Sequence, residues 1–177
     1  MSEELKQGSL LGDSELLVRI GRGGMATVWV ARERTKDPKD DRLVAVKAML
    51  PELAEESEFV RMFLDEVKLV RSIRHQNVVQ VYDVGEHDGR VFLSMELLEG
   101  RTLAELVFGN GLPLADVERI AGQLVAGLGA LHRASIIHRD FKTSNVILVG
   151  DGATARAVIT DFGLARSADA QDSRLTL

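Results

Sequence analysis

The feature that most constrains this chain is a polar loop, Ile137-His138-Arg139-Asp140-Phe141-Lys142-Thr143-Ser144-Asn145, set between a helical stripe and a short apolar strand. The stripe is Val117, Ile120, Ala121, Leu124, Leu128 and Leu131. Their three- and four-residue spacing predicts an amphipathic helix over residues 114–132. Two short apolar strands are expected at residues 146–149 and 157–160, with Asp151-Gly152 turning between them. Asp161-Phe162-Gly163 then closes the second strand. Asp, Lys and Asn thus stand at fixed offsets where a helix hands over to a strand.

The first hundred residues read differently. Residues 16–20 and 27–32 are predicted strands around a glycine turn, Ile20-Gly21-Arg22-Gly23-Gly24-Met25-Ala26-Thr27-Val28. Glycines let a backbone approach phosphate oxygens and aim its N–H groups at them, although a plain hairpin fits this segment equally well. The turn joins strands rather than opening a helix, which disfavours a dinucleotide fold. Residues 33–42, charged and holding Pro38, read as a solvated loop. Residues 43–49 alternate, placing Leu43, Ala45, Lys47 and Met49 on one strand face. A helix is expected over residues 55–74, with Phe59, Met62, Phe63, Val67, Val70 and Ile73 as its apolar stripe. Glu66 falls inside that stripe, and a carboxylate there is costly unless a cation meets it. Lys47 and Glu66 are each the other's simplest explanation. Residues 78–84 and 90–97 read as a hairpin around Gly85 and Asp88-Gly89.

Two lobes sharing a cleft, joined near residues 95–100, are the expected α+β architecture. Residues 1–15 form an N-terminal extension. Residues 16–97 form an antiparallel sheet with one main helix, and 98–177 an incomplete, mainly helical second lobe. Without cysteine, disulfides, thiolate zinc sites and cysteine nucleophiles are excluded. The four histidines are scattered, so zinc is not expected, and His75 reads as a loop anchor. A formal net charge of -5 argues against broad nucleic-acid binding. The acidic start is no secretory signal, and no apolar run approaches the roughly 18–20 residues that span a bilayer. A cytoplasmic location is expected.

The polar loop, Asp161-Phe162-Gly163 and Val44-Ala45-Val46-Lys47 match protein-kinase signatures in order and spacing. From about Leu16 to Arg166 the chain resembles the eukaryotic-like serine/threonine protein kinases, particularly those of bacteria. That resemblance implies ATP-dependent transfer of the γ-phosphoryl group to Ser/Thr hydroxyls of protein substrates. It implies magnesium as the cofactor ion, with manganese as the alternative. Lys47, held by Glu66, would meet the α- and β-phosphates; Asn145 and Asp161 would hold the metal. Asp140 would orient or accept the substrate proton, and Lys142 would meet the γ-phosphate. ATP contacts fall on Ile20, Gly21, Gly23, Gly24, Val28, Ala45, Met95, Glu96, Leu98 and Ile147. In this family His138 packs beneath Phe162. Arg139 implies a phosphorylated activation loop, with Ser167, Ser173 and Thr176 as candidates.

Two departures from the family pattern stand out. Ala26 replaces the third glycine of the phosphate turn, a minor change. The chain also ends at Leu177, ahead of the Ala-Pro-Glu close of the activation segment. A full domain runs to roughly 250–280 residues, so a piece of a longer protein or a truncated product is expected. Cover lost from Leu124 and Leu128 would favour self-association. The alternative function is a catalytically silent nucleotide-binding or interaction module.

Overall fold

The computed structural model describes residues 4–24, 26–51, 60, 64, 67, 70–108 and 111–161. The chain forms two compact units, Met1–Arg71 with Val81–Leu97, and Ser72–Gln80 with Leu98–Leu177. A single cut after residue 97, as the sequence suggested, therefore assigns Ser72–Gln80 to the wrong unit.

The first unit is built on β1 (Leu10–Leu11), β2 (Ser14–Arg22), β3 (Ala26–Glu33), β4 (Arg42–Met49), β5 (Val81–His87) and β6 (Arg90–Glu96). They form one antiparallel sheet in the order β1-β2-β3-β4-β6-β5. Because side chains alternate along each strand, the register sorts residues into two faces. Trp29 lies opposite Val46, Ala31 opposite Val44, and Ala48 opposite Phe92; these share one face. With Leu11 and Leu16 they form a buried core, against which Leu5 and Tyr82 pack. The N-terminal residues are thus part of the sheet's cover rather than an appendage, and the sheet starts ahead of the expected residue 16.

Strand β2 carries register shifts between Leu16 and Val18 and between Arg19 and Gly21. Each inserts one extra residue, which reverses the alternation. Arg19 consequently pairs with Trp29, and Arg22 with Thr27, on the same face despite their three-residue spacing. The β5–β6 turn is made by Asp88 (φ 51°) and Gly89 (φ 72°), the positive dihedrals that a two-residue hairpin loop requires. Gly85, expected at the turn, lies instead within β5 opposite Phe92. A Cβ there would come within 3.1 Å of the Phe92 ring. Between β4 and β5 the helical residues described are Pro51, Val60, Leu64, Val67, Val70 and Arg71. Val67 and Val70 are buried; Phe59, Met62 and Phe63 lie outside the described residues.

The second unit contains β7 (Gly100–Thr102), α1 (Leu103–Val107), α2 (Leu114–Arg133), β8 (Val146–Val149) and β9 (Arg156–Ile159). Its sheet runs β7-β8-β9, and Leu103, Ile120, Val146 and Ala157 form its core. A capping box starts α1: Thr102 Oγ1 accepts from the Glu105 N–H, and the Glu105 carboxylate accepts from the Thr102 N–H. Of the expected α2 stripe, Ile120 and Leu131 are buried, while Val117 is exposed. Gly127 also lies on the buried side.

Ser72–Gln80 joins this unit through backbone and side chain. Val78 bridges Ile159 in parallel. The Val79 N–H donates to the Ile159 carbonyl, and the Ile159 N–H donates to the Asn77 carbonyl, both at 2.9 Å. The Asn77 amide donates to the Ala157 carbonyl (2.8 Å) and to Gln123 Oε1 (3.0 Å). Gln123 in turn donates to the Ala155 carbonyl at 3.0 Å. Helix α2 comes this close because residue 127 has no side chain: a Cβ there would sit 2.8 Å from the Asn77 carbonyl and 2.9 Å from Ile159 Cδ1.

Alanine at 127 gains about 1 kcal/mol of helix propensity, whereas overpacking against backbone costs about 1–3 kcal/mol. Gly127→Ala should therefore lower the urea midpoint. A midpoint equal to or above that of the parent chain would show that the contact is not tight.

Candidate active site

The residues singled out in the sequence fall in both units, and each set is built differently. In the first unit, the turn between β2 and β3 is closed by a hydrogen bond from the Gly23 N–H to the Ala26 carbonyl, 2.9 Å. An added Cβ would meet nothing within 4 Å at Gly24, only the Ala26 carbonyl at 3.9 Å at Gly23, and Val28 at 3.7 Å at Gly21. None of these three glycines has the positive φ that would demand glycine. Neither packing nor backbone strain explains the run, which leaves room for an anion to approach the turn's backbone closely.

Lys47 pairs with Val28 on one side and Leu93 on the other, and Ala45 pairs with Val30 and Met95. Val28, Ala45, Lys47 and Met95 therefore share the sheet face opposite Trp29. Ala45 and Leu93 are buried while Lys47 is half-buried, an ammonium rising from an apolar surface. Ile20, ahead of the turn, is exposed, and Glu96 ends β6 opposite Val44. Glu66, the expected partner of Lys47, lies outside the described residues.

In the second unit, α2 leads through Ser135 (φ 61°) into the polar loop. The backbone doubles back at Arg139 (φ 60°), so that the Asp140 N–H donates to the His138 carbonyl at 2.7 Å. His138 is buried, its Nε2 2.9 Å from the Thr160 carbonyl and its ring edge-on to Phe141 at 5.5 Å. Phe162, the expected cover of His138, lies outside the described residues, as do Gly163, Ser167, Ser173 and Thr176.

The Asp140 carboxylate accepts from Lys142 Nζ at 2.8 Å and from Asn145 Nδ2 at 3.1 Å. The same Asn145 nitrogen donates to the Asp140 carbonyl at 2.9 Å. The Lys142 hydrogen bond holds the Asp140 carboxyl below the usual aspartate range; burial opposes this and Asn145 reinforces it. Asn145 is itself buried, and its carbonyl accepts both the N–H (2.9 Å) and the hydroxyl (3.2 Å) of Thr160. Among the described residues its Oδ1 accepts no hydrogen bond. Thr160 delivers the chain to Asp161, whose φ of 55° turns it out of β9. Ile147 is half-buried in β8 opposite Val158, and Leu98 is half-buried ahead of β7.

Sequence reasoning missed the brace behind these groups. Thr160, Asn77 and Gln123 carry no signature of their own, and 46 residues separate Asn77 from Gln123. Only the polarity of Gln123 within the α2 apolar pattern hinted at a buried partner.

Residues 14–176 match the protein kinase domain family. The chain is 38% identical over 156 residues to the serine/threonine-protein kinase PrkC of Bacillus subtilis (strain 168), covering 87% of this chain and 23% of that protein. It therefore spans about a quarter of that relative's length. The PknI kinase domain of Mycobacterium tuberculosis superposes with a TM-score of 0.74 at 27% identity, covering 92% of this chain and 64% of that one. Rad53 1-466 in complex with AMP-PNP superposes with a TM-score of 0.71 at 27% identity, covering 86% and 38%.

Replacing Lys142 by Met removes the main group holding down the Asp140 titration. The Asp140 carboxyl of Lys142→Met should then titrate higher, by carbon-detected NMR, than in the parent chain. The depressed folded value favours the carboxylate, so any stability it contributes is kept near neutrality and lost as pH falls through that value. An unchanged titration in Lys142→Met would show that the contact at 2.8 Å does not govern it.

Proposed function

The chain belongs to the protein kinase domain family, and on that premise we propose that it transfers the γ-phosphoryl group of ATP to serine or threonine hydroxyls of proteins. The observation that carries this reading is the Asp140 carboxylate, paired with Lys142, which lowers its titration, and oriented by Asn145. A general base must be unprotonated and aimed before substrate arrives, and both conditions are met by contacts within one short loop. Lys142 is also placed beside that base, where a cation meets negative charge developing on a phosphoryl group.

The other roles follow the two units. In the first, the glycine turn at Gly21, Gly23 and Gly24 lets the backbone approach the phosphate oxygens closely, and Lys47 holds the α- and β-phosphates, steadied by Glu66. Ile20, Val28, Ala45, Met95 and Glu96 contact the nucleotide. In the second, Leu98 and Ile147 make the remaining adenine contacts.

Family membership implies a divalent metal ion, and the hard oxygen donors present suit magnesium. Asn145 Oδ1, left over when its nitrogen is spent on Asp140, and the Asp161 carboxylate are hard oxygen donors. Two such protein ligands suit an ion that keeps water and phosphate oxygens for its other positions. When bound, it neutralises charge on the transferring phosphoryl group. No helix among the described residues is long and apolar enough to cross a membrane; we place the reaction in the cytoplasm. Ser167, Ser173 and Thr176 are proposed acceptors of a regulatory phosphate that Arg139 would meet.

With ATP, magnesium and a generic Ser/Thr acceptor protein, the parent chain should transfer label. Asp140→Asn should transfer about 10²–10⁴-fold less while binding ATP equally well. Equal transfer by both proteins would remove Asp140 from the reaction; nucleotide binding without transfer in either would favour the silent module. Gly23→Ala separates fold from ligand. Its stability should stay within about 0.5 kcal/mol of the parent, while its affinity for ATP, by calorimetry, should fall. Unchanged affinity would show that the turn does not hold phosphate.

A further inference from the structure

The two residues that would hold the metal ion stand on different loops, Asn145 immediately before β8 and Asp161 two residues after β9. The last pair of the β8–β9 ladder at that end is Val146 opposite Ile159. Past it the loops are joined through Thr160. Its N–H donates to the Asn145 carbonyl at 2.9 Å, and its hydroxyl donates to the same oxygen at 3.2 Å. A carbonyl oxygen has two lone pairs, and one residue takes both. We propose that the Thr160 hydroxyl is a positioning group that holds the two ligand-bearing loops rigid and thereby selects magnesium over larger divalent ions. This rests on the reading of Asn145 and Asp161 as metal ligands.

Packing does not account for the hydroxyl. Thr160 is buried, and valine has the same branched shape without a polar atom to satisfy. What the hydroxyl adds is constraint. A single hydrogen bond lets the Asn145 peptide rock about one contact, whereas two donors from one residue fix its tilt. The other end of Asn145 is already tied, because Nδ2 donates to the carbonyl and the carboxylate of Asp140. With both ends held, Oδ1 is presented in one orientation. Thr160 is itself fixed at a third point, where its carbonyl meets His138 Nε2 at 2.9 Å. The next residue is Asp161, whose φ of 55° turns the second ligand out of the strand direction. One side chain therefore couples both ligand carriers.

Rigidity of this kind discriminates between ions. Magnesium demands near-octahedral geometry at about 2.0–2.1 Å, while calcium accepts roughly six to eight oxygens at about 2.3–2.6 Å in looser arrangements. Two ligands held at one spacing favour the stricter ion; two that drift favour neither.

The full 177-residue chain is loaded with a non-hydrolysable ATP analogue and manganese, and bound manganese is followed by electron paramagnetic resonance. Magnesium and calcium are then titrated as competitors, which gives the ratio of their affinities without any phosphoryl transfer. The parent is expected to prefer magnesium. Thr160→Val should narrow that preference by about fivefold, what one buried hydrogen bond is worth, and Thr160→Ser, which keeps the hydroxyl, should restore it. General loosening of the fold weakens both ions alike and leaves the ratio where it was. An unchanged ratio in Thr160→Val, or a serine variant that behaves as the valine one, would overturn the proposal while the ligand reading stands. Asn145→Ala separates the two: manganese bound as tightly as in the parent, or none bound by the parent, would remove the ligand reading and the proposal with it.

Discussion

In the second unit the proposed catalytic groups depend on how β8 and β9 are tied at their adjoining ends. Asn145, at the threshold of β8, gives its carbonyl to both the N–H and the hydroxyl of Thr160. Its side-chain nitrogen then reaches back to both oxygens that matter on Asp140, one backbone and one carboxylate. His138 closes the arrangement from beneath by meeting the Thr160 carbonyl. One residue pair therefore fixes the spacing between two loops. The surroundings tolerate backbone that would not form by itself: Ser135, Arg139 and Asp161 all have positive φ, a conformation costing about 1–3 kcal/mol each for a residue with a side chain. Such strain persists only where other contacts over-determine the chain.

The first unit works by division of faces. One side of the sheet spends its alternation on Trp29, Ala31, Val44, Val46 and Phe92, a closed apolar core that the N-terminal residues help to cover. The other side spends it on Val28, Ala45 and Met95, apolar but interrupted by Lys47. A one-residue slip in β4 would bury the ammonium against Trp29 and expose Val46, so the register is held by the full cost of an unpaired buried charge.

How far the sequence could be read follows from the range of each signal. Strand β8 is found at the expected residues, and β4 and α2 within one residue of the expected bounds, because alternation and helical periodicity are local. The polar loop was legible because its groups lie within one run, Asp140 to Asn145. Signals that depend on distant partners were not legible. Alternation in β2 puts Arg19 and Arg22 on opposite faces; only pairing with β3 reveals the two extra residues that bring them together. Leu10–Leu11 is too short to show a period, and Gly85 looked like a turn because nothing local tells that Phe92 needs its missing side chain. Asn77 was legible as a polar residue but not as an anchor, since Ala157 stands 80 residues away.

The assignment of Ser72–Gln80 means that the chain passes between the units three times, at 71/72, 80/81 and 97/98. No single nick can separate them. Cleavage at 97/98 would yield an N-terminal fragment that still holds the other piece by the hydrogen bonds between Asn77, Val79 and Ile159. The molecule is in this respect a natural candidate for reconstitution from two polypeptides, with the short tether bringing its backbone hydrogen bonds and the close fit at Gly127 to the recognition.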